Sequence, residues 1–380
     1  MTTTRAWLTL PFLLLAATVV LLLWWRPLDR IATEAPPVEE AVIEAVRLTP
    51  GLISVTVRSD GSEPVRIAQI QVDGAYRMFM AIPAAPTAWL GLTRLDIPYP
   101  WIDGEAHHLA FVTRTGVVIE HTIEVAQATP NLDLLSLWTL AGVGTLLGVI
   151  PIVIGLLAFP GMRTLSPNAL SFILALTVGF LIFLLLDTIH EGQEAAAKTI
   201  GRMKGPTLFW SILAATTIGL IALGRRHGKV PEGTALAAFI ALGVGLHNLG
   251  EGLAVGAALA TGAAALATFL VVGFTIHNVT EGIGIAAPMT GERPSLLQFA
   301  GLAALAGLPA IIGTIIGTQA VSPLWIAVCF ALGAGAILQV IIEVGALMAR
   351  RAQPAGLFRP VTAGGVVLGL AVMYATSLLV

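Results

Sequence analysis

The sequence predicts an α-helical polytopic membrane protein: a bundle of eight membrane-crossing helices, preceded by an N-terminal membrane anchor and a small antiparallel β-sandwich. Three observations predict it. Of 380 residues, 56% are hydrophobic and 11% charged, where soluble domains carry about 25% charged residues, and the mean hydropathy is +0.89. From residue 132 onward, apolar runs long enough to span a bilayer follow one another with short breaks. Between residues 36 and 130 the pattern changes to short alternating segments separated by turn residues.

Residues 1–30 read as an uncleaved signal anchor. Trp7 to Trp25 is uncharged and flanked by Arg5 on one side and by Arg26 and Arg30 on the other. The run exceeds the usual 7–15-residue apolar stretch of a cleaved signal peptide, and no small-x-small site follows it. Holding Arg5 inside puts the following domain on the far side of the membrane.

Residues 36–130 contain LISVTVRS, VRIAQIQV, YRMFMAIP, HHLAFVTR and VVIEHTIEV, broken by SDGSEP, VDGA, PYPWIDGE and RTG. Polar and apolar residues alternate in these pieces, which predicts strands of an antiparallel sandwich with its own core. His107, His108 and His121 offer a satellite metal site, but an HH pair with a distant third His lacks ligand-like spacing and reads as ordinary strand residues.

Residues 132–380 carry eight apolar segments, at about 134–159, 169–186, 206–223, 234–260, 264–287, 296–318, 323–348 and 361–379. Most reach the roughly 20 residues that cross a bilayer core as helix. With the sandwich outside, the inner loops hold Arg163, the run from Arg225 to Lys229, Arg293, Arg350, Arg351 and Arg359, as the positive-inside rule expects. Lys198, Arg202 and Lys204 fall on the other side, where the second segment is expected to continue as helix above the membrane. Small residues in runs such as ALGVG and AGLAALAG suit close helix packing.

Composition also excludes partners. A formal charge of −2 leaves no basic surplus for nucleic acid. The single cysteine, Cys329, excludes a disulfide framework and a multi-thiolate metal site, and reads as a small packed hydrophobe.

Two stretches thirty residues apart break the apolar text. HNLGEGLAVG begins at His247 and HNVTEGIGIA at His277. On a helix, His247 and Glu251 share a face with Asn248 beside them, and His277, Asn278 and Glu281 repeat the register. A buried Glu at the bilayer centre costs roughly 2.5–3.5 kcal/mol on insertion scales, so such groups face one another, water or an ion. Imidazole with carboxylate suits Zn, Fe(II), Mn or Co better than Cu(I), and is richer in nitrogen than Mg or Ca sites. Two ionised Glu and two neutral His neutralise one divalent ion, whereas a second ion leaves uncompensated charge in a medium of low dielectric.

Further polar groups follow the same course. Asp187, His190, Glu191 and Glu194 stand at i, i+3, i+4 and i+7 near the outer end of the second segment, where they read as a cation-collecting mouth or as a solvated helix end. Gln339 and Glu343, four apart in the seventh segment, are candidates for the same path.

HNLGEG followed by HNVTEG resembles the paired metal-binding helices of the ZIP divalent-metal transporters, particularly the GufA-like prokaryotic branch. The resemblance covers the eight helices from about residue 134 onward, including DTIHEGQEA and GAILQVIIE. The anchor and sandwich lie outside the usual family core. The resemblance implies a ZIP-like eight-helix bundle, not an enzyme, that carries divalent cations toward the cytoplasm. Zn stands first as cargo, followed by Fe, Mn, Co and Cd. It implies a metal site made by His247, Asn248, Glu251, His277, Asn278 and Glu281, in a homodimer embedded in the lipid bilayer of the plasma membrane with the β domain extracytoplasmic.

Departures from the family pattern are specific. Gly250 and Thr280 stand where Pro often precedes the acidic residue, Asn278 replaces a carboxylate found in several relatives, and the following helix offers no acid. One ion is therefore the expectation. His227 is the lone His in a loop that is often His-rich in the family. Two other readings of the duplicated motif are a membrane-embedded metalloenzyme, for which no HExxH or further His cluster is present, and a metal sensor whose sandwich reports occupancy.

Overall fold

The structure is a computed structural model that describes residues 2–25, 39–61, 64–130, 132–199, 201, 204–225, 231–260, 264–319, 322–351 and 359–378. Arg26, Arg30, Arg202, His227 and Lys229 lie outside the described residues, as does the start of the sandwich segment. The chain divides into two compact units, Met1–Val38 and Glu39–Val380. The first contains helix α1 (Thr2–Trp25).

The second unit begins with two four-stranded antiparallel sheets. One has the order β1 (Ala41–Thr49), β2 (Leu52–Ser59), β6 (Leu92–Pro98), β5 (Met80–Ile82). The other runs β4 (Ala75–Arg77), β3 (Ile67–Val72), β7 (His107–Thr113), β8 (Val118–Ile123). Alternation puts Ile53, Val55, Leu95 and Ile97 of the first sheet and Ile70, Val72, Leu109 and Phe111 of the second in one shared core. Burying each such side chain is worth about 1.5–3 kcal/mol. YRMFMAIP, which reads as a single strand, is split: Ala75–Arg77 pairs with β3, whereas Met80–Ile82 pairs with β6, so the chain changes sheets between them.

Among the described residues, eight helical segments are long and apolar enough to cross a membrane. The first is composite: α2 (Leu134–Gly144), a π-helical turn (Thr145–Val149), α3 (Ile150–Leu156) and the short α4 (Phe159–Met162). Asp133 caps α2 by accepting from the Ser136 amide at 2.7 Å. The others are α5 (Pro167–Ala197), α6 (Gly205–Gly224), α7 (Gly233–Ala260), α8 (Ala264–Ala286), α9 (Leu296–Gly317), α10 (Pro323–Arg351) and α11 (Pro360–Ser377). As the charges at 191–198 suggest, α5 continues well past its apolar run, to Ala197.

Alternate helix ends meet. Glu292, after α8, accepts from the Thr234 amide at 3.0 Å and from its hydroxyl, capping the start of α7. Arg350 of α10 approaches Glu232 at 3.5 Å, and Arg359 donates to Asn168 at 3.2 Å. Arg350 and Arg359, two of the basic residues assigned to one side of the membrane, thus lie where one helix end contacts another.

Glycine fixes how close α7 comes to α9. A Cβ at Gly252 would lie 2.3 Å from the Ala310 carbonyl oxygen, and one at Gly317 would lie 2.4 Å from that of Leu253. GxxxG pairs on both helices, Gly252 with Gly256 and Gly313 with Gly317, therefore make a backbone-to-backbone seam. The same device brings α3 to α8, where a Cβ on Gly155 would sit 2.1 Å from the Val279 oxygen. These two seams fix the helices that carry the duplicated motif.

Candidate metal centre

The duplicated motif lies midway along α7 and α8 and is buried. His247, Asn248, Glu251, His277, Asn278 and Glu281 are all at most 7% exposed, and both Asn are at 0%. On α7, the i,i+4 spacing sets His247 Nε2 3.0 Å from Glu251 Oε1. His277 Nε2 of α8 reaches the same oxygen at 2.5 Å. Nitrogen or oxygen atoms of His247, Glu251 and His277 all lie within 4.8 Å of one another, making the only group of three such ligands among the described residues.

Asn278 completes the contact. Its Nδ2 donates to Glu251 Oε2 at 3.1 Å and to the Leu147 carbonyl at 3.0 Å. That carbonyl is free for a sequence reason. Pro151, one turn later, has no N–H to bond it, and the π-helical turn alters the ladder of the same stretch. The Thr275 hydroxyl of α8 donates to the Val271 carbonyl of its own helix at 2.6 Å and lies 3.2 Å from the neighbouring Leu146 carbonyl. Asn278 of α8 thus satisfies the carbonyl that the proline leaves open.

Asn248 is turned the other way, with Nδ2 donating to the Ala306 carbonyl of α9 at 3.0 Å. In both Asn, anchoring the amide nitrogen leaves Oδ1 buried and without a partner. Glu281, one turn beyond His277, has neither carboxylate oxygen bonded. A cation adjoining this cluster would meet His247 Nε2, the Glu281 carboxylate and the two Asn Oδ1 atoms without competing hydrogen bonds, whereas His277 Nε2 and Glu251 Oε1 would exchange their mutual contact for the ion.

The expected kink residues behave differently from proline. Thr280 donates back to the His277 carbonyl at 2.5 Å, keeping α8 continuous. Gly250 lets Phe330 of α10 approach, since a Cβ there would lie 3.1 Å from its ring.

A cavity of about 550 Å³ leads to the cluster. Its lining includes Glu251, His247 and His277 of the cluster together with Asp187 and Glu191 of α5 and Lys198 just beyond that helix. Three of the mouth residues at i, i+3, i+4 and i+7 are distributed over two clefts that share Glu191 and Lys198. Asp187 and Glu191 line this cavity, whereas His190 is exposed and outside its lining. Glu194 pairs with Lys198 at 2.9 Å beside a neighbouring cleft. Positions i, i+3, i+4 and i+7 share an arc of about 100° with His190 and Glu191 at its two edges, so which of them reach the cavity is set by how α5 packs.

Gln339 and Glu343 are not brought to the cluster's cavity. Both are fully buried. Glu343 Oε1 receives Arg225 of α6 through Nε at 3.1 Å and Nη2 at 3.0 Å, while its Oε2 and both polar atoms of Gln339 have no partner.

The three sandwich histidines do not form one cluster: His108 and His121 line a common small cleft, from which His107 is absent. Neighbours on β7, His107 and His108 point to opposite faces. His107 Nδ1 is 2.8 Å from Asp73 Oδ2, and His108 Nδ1 is 3.0 Å from Thr122 Oγ1. Burial pushes the His121 imidazole below its ordinary value.

Two features had no signal in the sequence. The carbonyls of Leu147 and Ala306 depend on which helices pack together. Thr188 of α5 is 1% exposed and lies 3.0 Å from His247 Nδ1, although a threonine within an apolar helix ordinarily bonds its own backbone. No family model matches the chain, and no curated protein matches it.

Proposed function

We propose that this protein is a transporter of divalent transition-metal cations, carrying Zn, Fe(II), Mn or similar ions toward the cytoplasm as a member of the ZIP family. The observation that carries this reading is the convergence of His247, Glu251 and His277 in the interior of a bundle of membrane-length helices, in a cavity that also holds Asp187 and Glu191.

The residues suit the steps of such a passage. Carboxylates of Asp187 and Glu191 raise the local concentration of cations in the cavity. At the cluster, the imidazoles of His247 and His277 and the carboxylate of Glu251 replace hydration water, and the bare Oδ1 atoms of Asn248 and Asn278 supplement them. Glu281 adds a second negative charge beyond the cluster, so two carboxylates balance one divalent ion. Mixed nitrogen and oxygen donors favour Zn and its first-row neighbours over Mg or Ca. Basic residues at alternate helix ends support an orientation with those ends in the cytoplasm and the sandwich outside the plasma membrane. The family resemblance adds the homodimer.

The test is uptake of radioactive Zn, Fe(II), Mn and Co by the purified protein in liposomes, beside Glu251→Ala and Glu281→Ala variants. Saturable uptake that both substitutions remove is expected. Bound metal without flux, in folded and inserted protein, overturns the transport reading.

A further inference from the structure

Thr188 stands on α5, outside the duplicated motif, and its hydroxyl makes an unusual choice. Buried threonines elsewhere in the bundle bond back to their own helix: Thr177 to Ile173 at 3.0 Å and Thr314 to Ala310 at 2.9 Å, while Thr217 keeps its own Leu213 carbonyl at 2.9 Å beside the Gly335 carbonyl of α10 at the same distance. Thr188 reaches across to α7, placing Oγ1 3.0 Å from His247 Nδ1. Both residues are closed off from solvent, at 1% and 4% exposure.

The other ring nitrogen explains why this contact matters. His247 Nε2 is buried and makes no hydrogen bond, although Glu251 Oε1 is 3.0 Å away. An imidazole binds a metal ion through a nitrogen that carries a lone pair, which requires the proton to sit on the opposite nitrogen. With Nε2 facing the cluster, the proton belongs on Nδ1, and Thr188 Oγ1 is the acceptor placed to receive it.

We infer that Thr188 is a positioning residue for the metal centre: it holds the His247 ring in one orientation and in the Nδ1–H tautomer, so that the Nε2 lone pair faces Glu251 and His277. This deepens the transport proposal and rests on its reading of His247 as a metal ligand. Thr188 does so from α5, whereas His247 belongs to α7, so the contact ties the ligand's orientation to the packing of two different helices.

The experiment is Co(II) titration of the full-length protein in detergent, read by visible d–d absorption and by affinity, for the parent, Thr188→Val and Thr188→Ser. Loss of such a partner of a metal-bound His weakens affinity by about 10- to 100-fold. Val keeps the shape and removes the acceptor, so it should show that loss with an altered d–d spectrum. Ser restores the acceptor and should bind like the parent. Thr188→Ala, expected to follow Val, replaces it if Val does not fold. Val binding like the parent overturns the inference, as does Ser failing as badly as Val, because packing rather than hydrogen bonding would then be at work. Co(II) binding is read without flux, so a parent that binds but does not transport overturns the transport proposal alone.

Discussion

Replacing Glu251 with Gln tests the centre with little change of shape. Its carboxylate is 3% exposed at the side chain and touches both imidazoles through Oε1 and Asn278 through Oε2. Gln keeps the volume and can still accept from one neighbour, so the helices should pack as before. What disappears is the negative charge among buried ligands of a dication. Removing one partner of a buried charge pair costs about 3–5 kcal/mol. At 1.4 kcal/mol per decade this becomes roughly 10²- to 4 × 10³-fold weaker binding, with the residual amide oxygen favouring the lower end. The assay is Zn competition against a chromophoric chelator in detergent, with circular dichroism as the check on folding. A folded Gln variant that binds Zn within about threefold of the parent would refute the assignment of Glu251 as a ligand.

Glu281→Gln should behave in two directions at once: metal-free protein melts higher, because an unbonded buried carboxylate is removed, while Zn uptake falls; a lower melting point in a folded variant would contradict this. In the sandwich, burial raises the Asp73 carboxyl, but the His108 amide, His107 and Tyr99 together hold it below its ordinary value of 3.8. A carboxyl depressed in the folded state stabilises the fold above the unfolded value and loses that contribution as pH falls through the lower folded value. Thermal unfolding of Asp73→Asn should therefore lag the parent at neutral pH and approach it below pH 3.8; a gap that widens on acidification would contradict the assigned role.

Much of the helical architecture was legible because a bilayer-length apolar run is a strong signal. The apolar segment at 234–260 and the helix Gly233–Ala260 differ at one end by a single residue. The duplicated motif was legible for the same reason, since His and Glu stand out against apolar text. Legibility failed where partners are distant. Nothing in LTRLDIP marked β6 as the strand lying between β2 and β5, because pairing is set by other segments. The arc formed by Asp187, His190, Glu191 and Glu194 was readable as spacing, but which two of them face the cavity depends on how α5 packs. Pro151 was visible in the sequence, yet the use by Asn278 of the Leu147 carbonyl that it leaves unpaired requires α3 and α8 to meet at Gly155. Thr188 was hidden between two noticed residues, since a hydroxyl's choice between its own backbone and a neighbouring helix is a tertiary fact.

The central claim is that two imidazoles and a carboxylate hold one cation inside the helical bundle. X-ray absorption at the zinc edge of Zn-loaded protein tests it most directly. The account predicts a first shell of nitrogen and oxygen at about 2.0–2.2 Å, with outer-shell scattering from two imidazole rings that falls to one in His277→Ala. A shell made only of oxygen, or one with sulfur at about 2.3 Å, would contradict it.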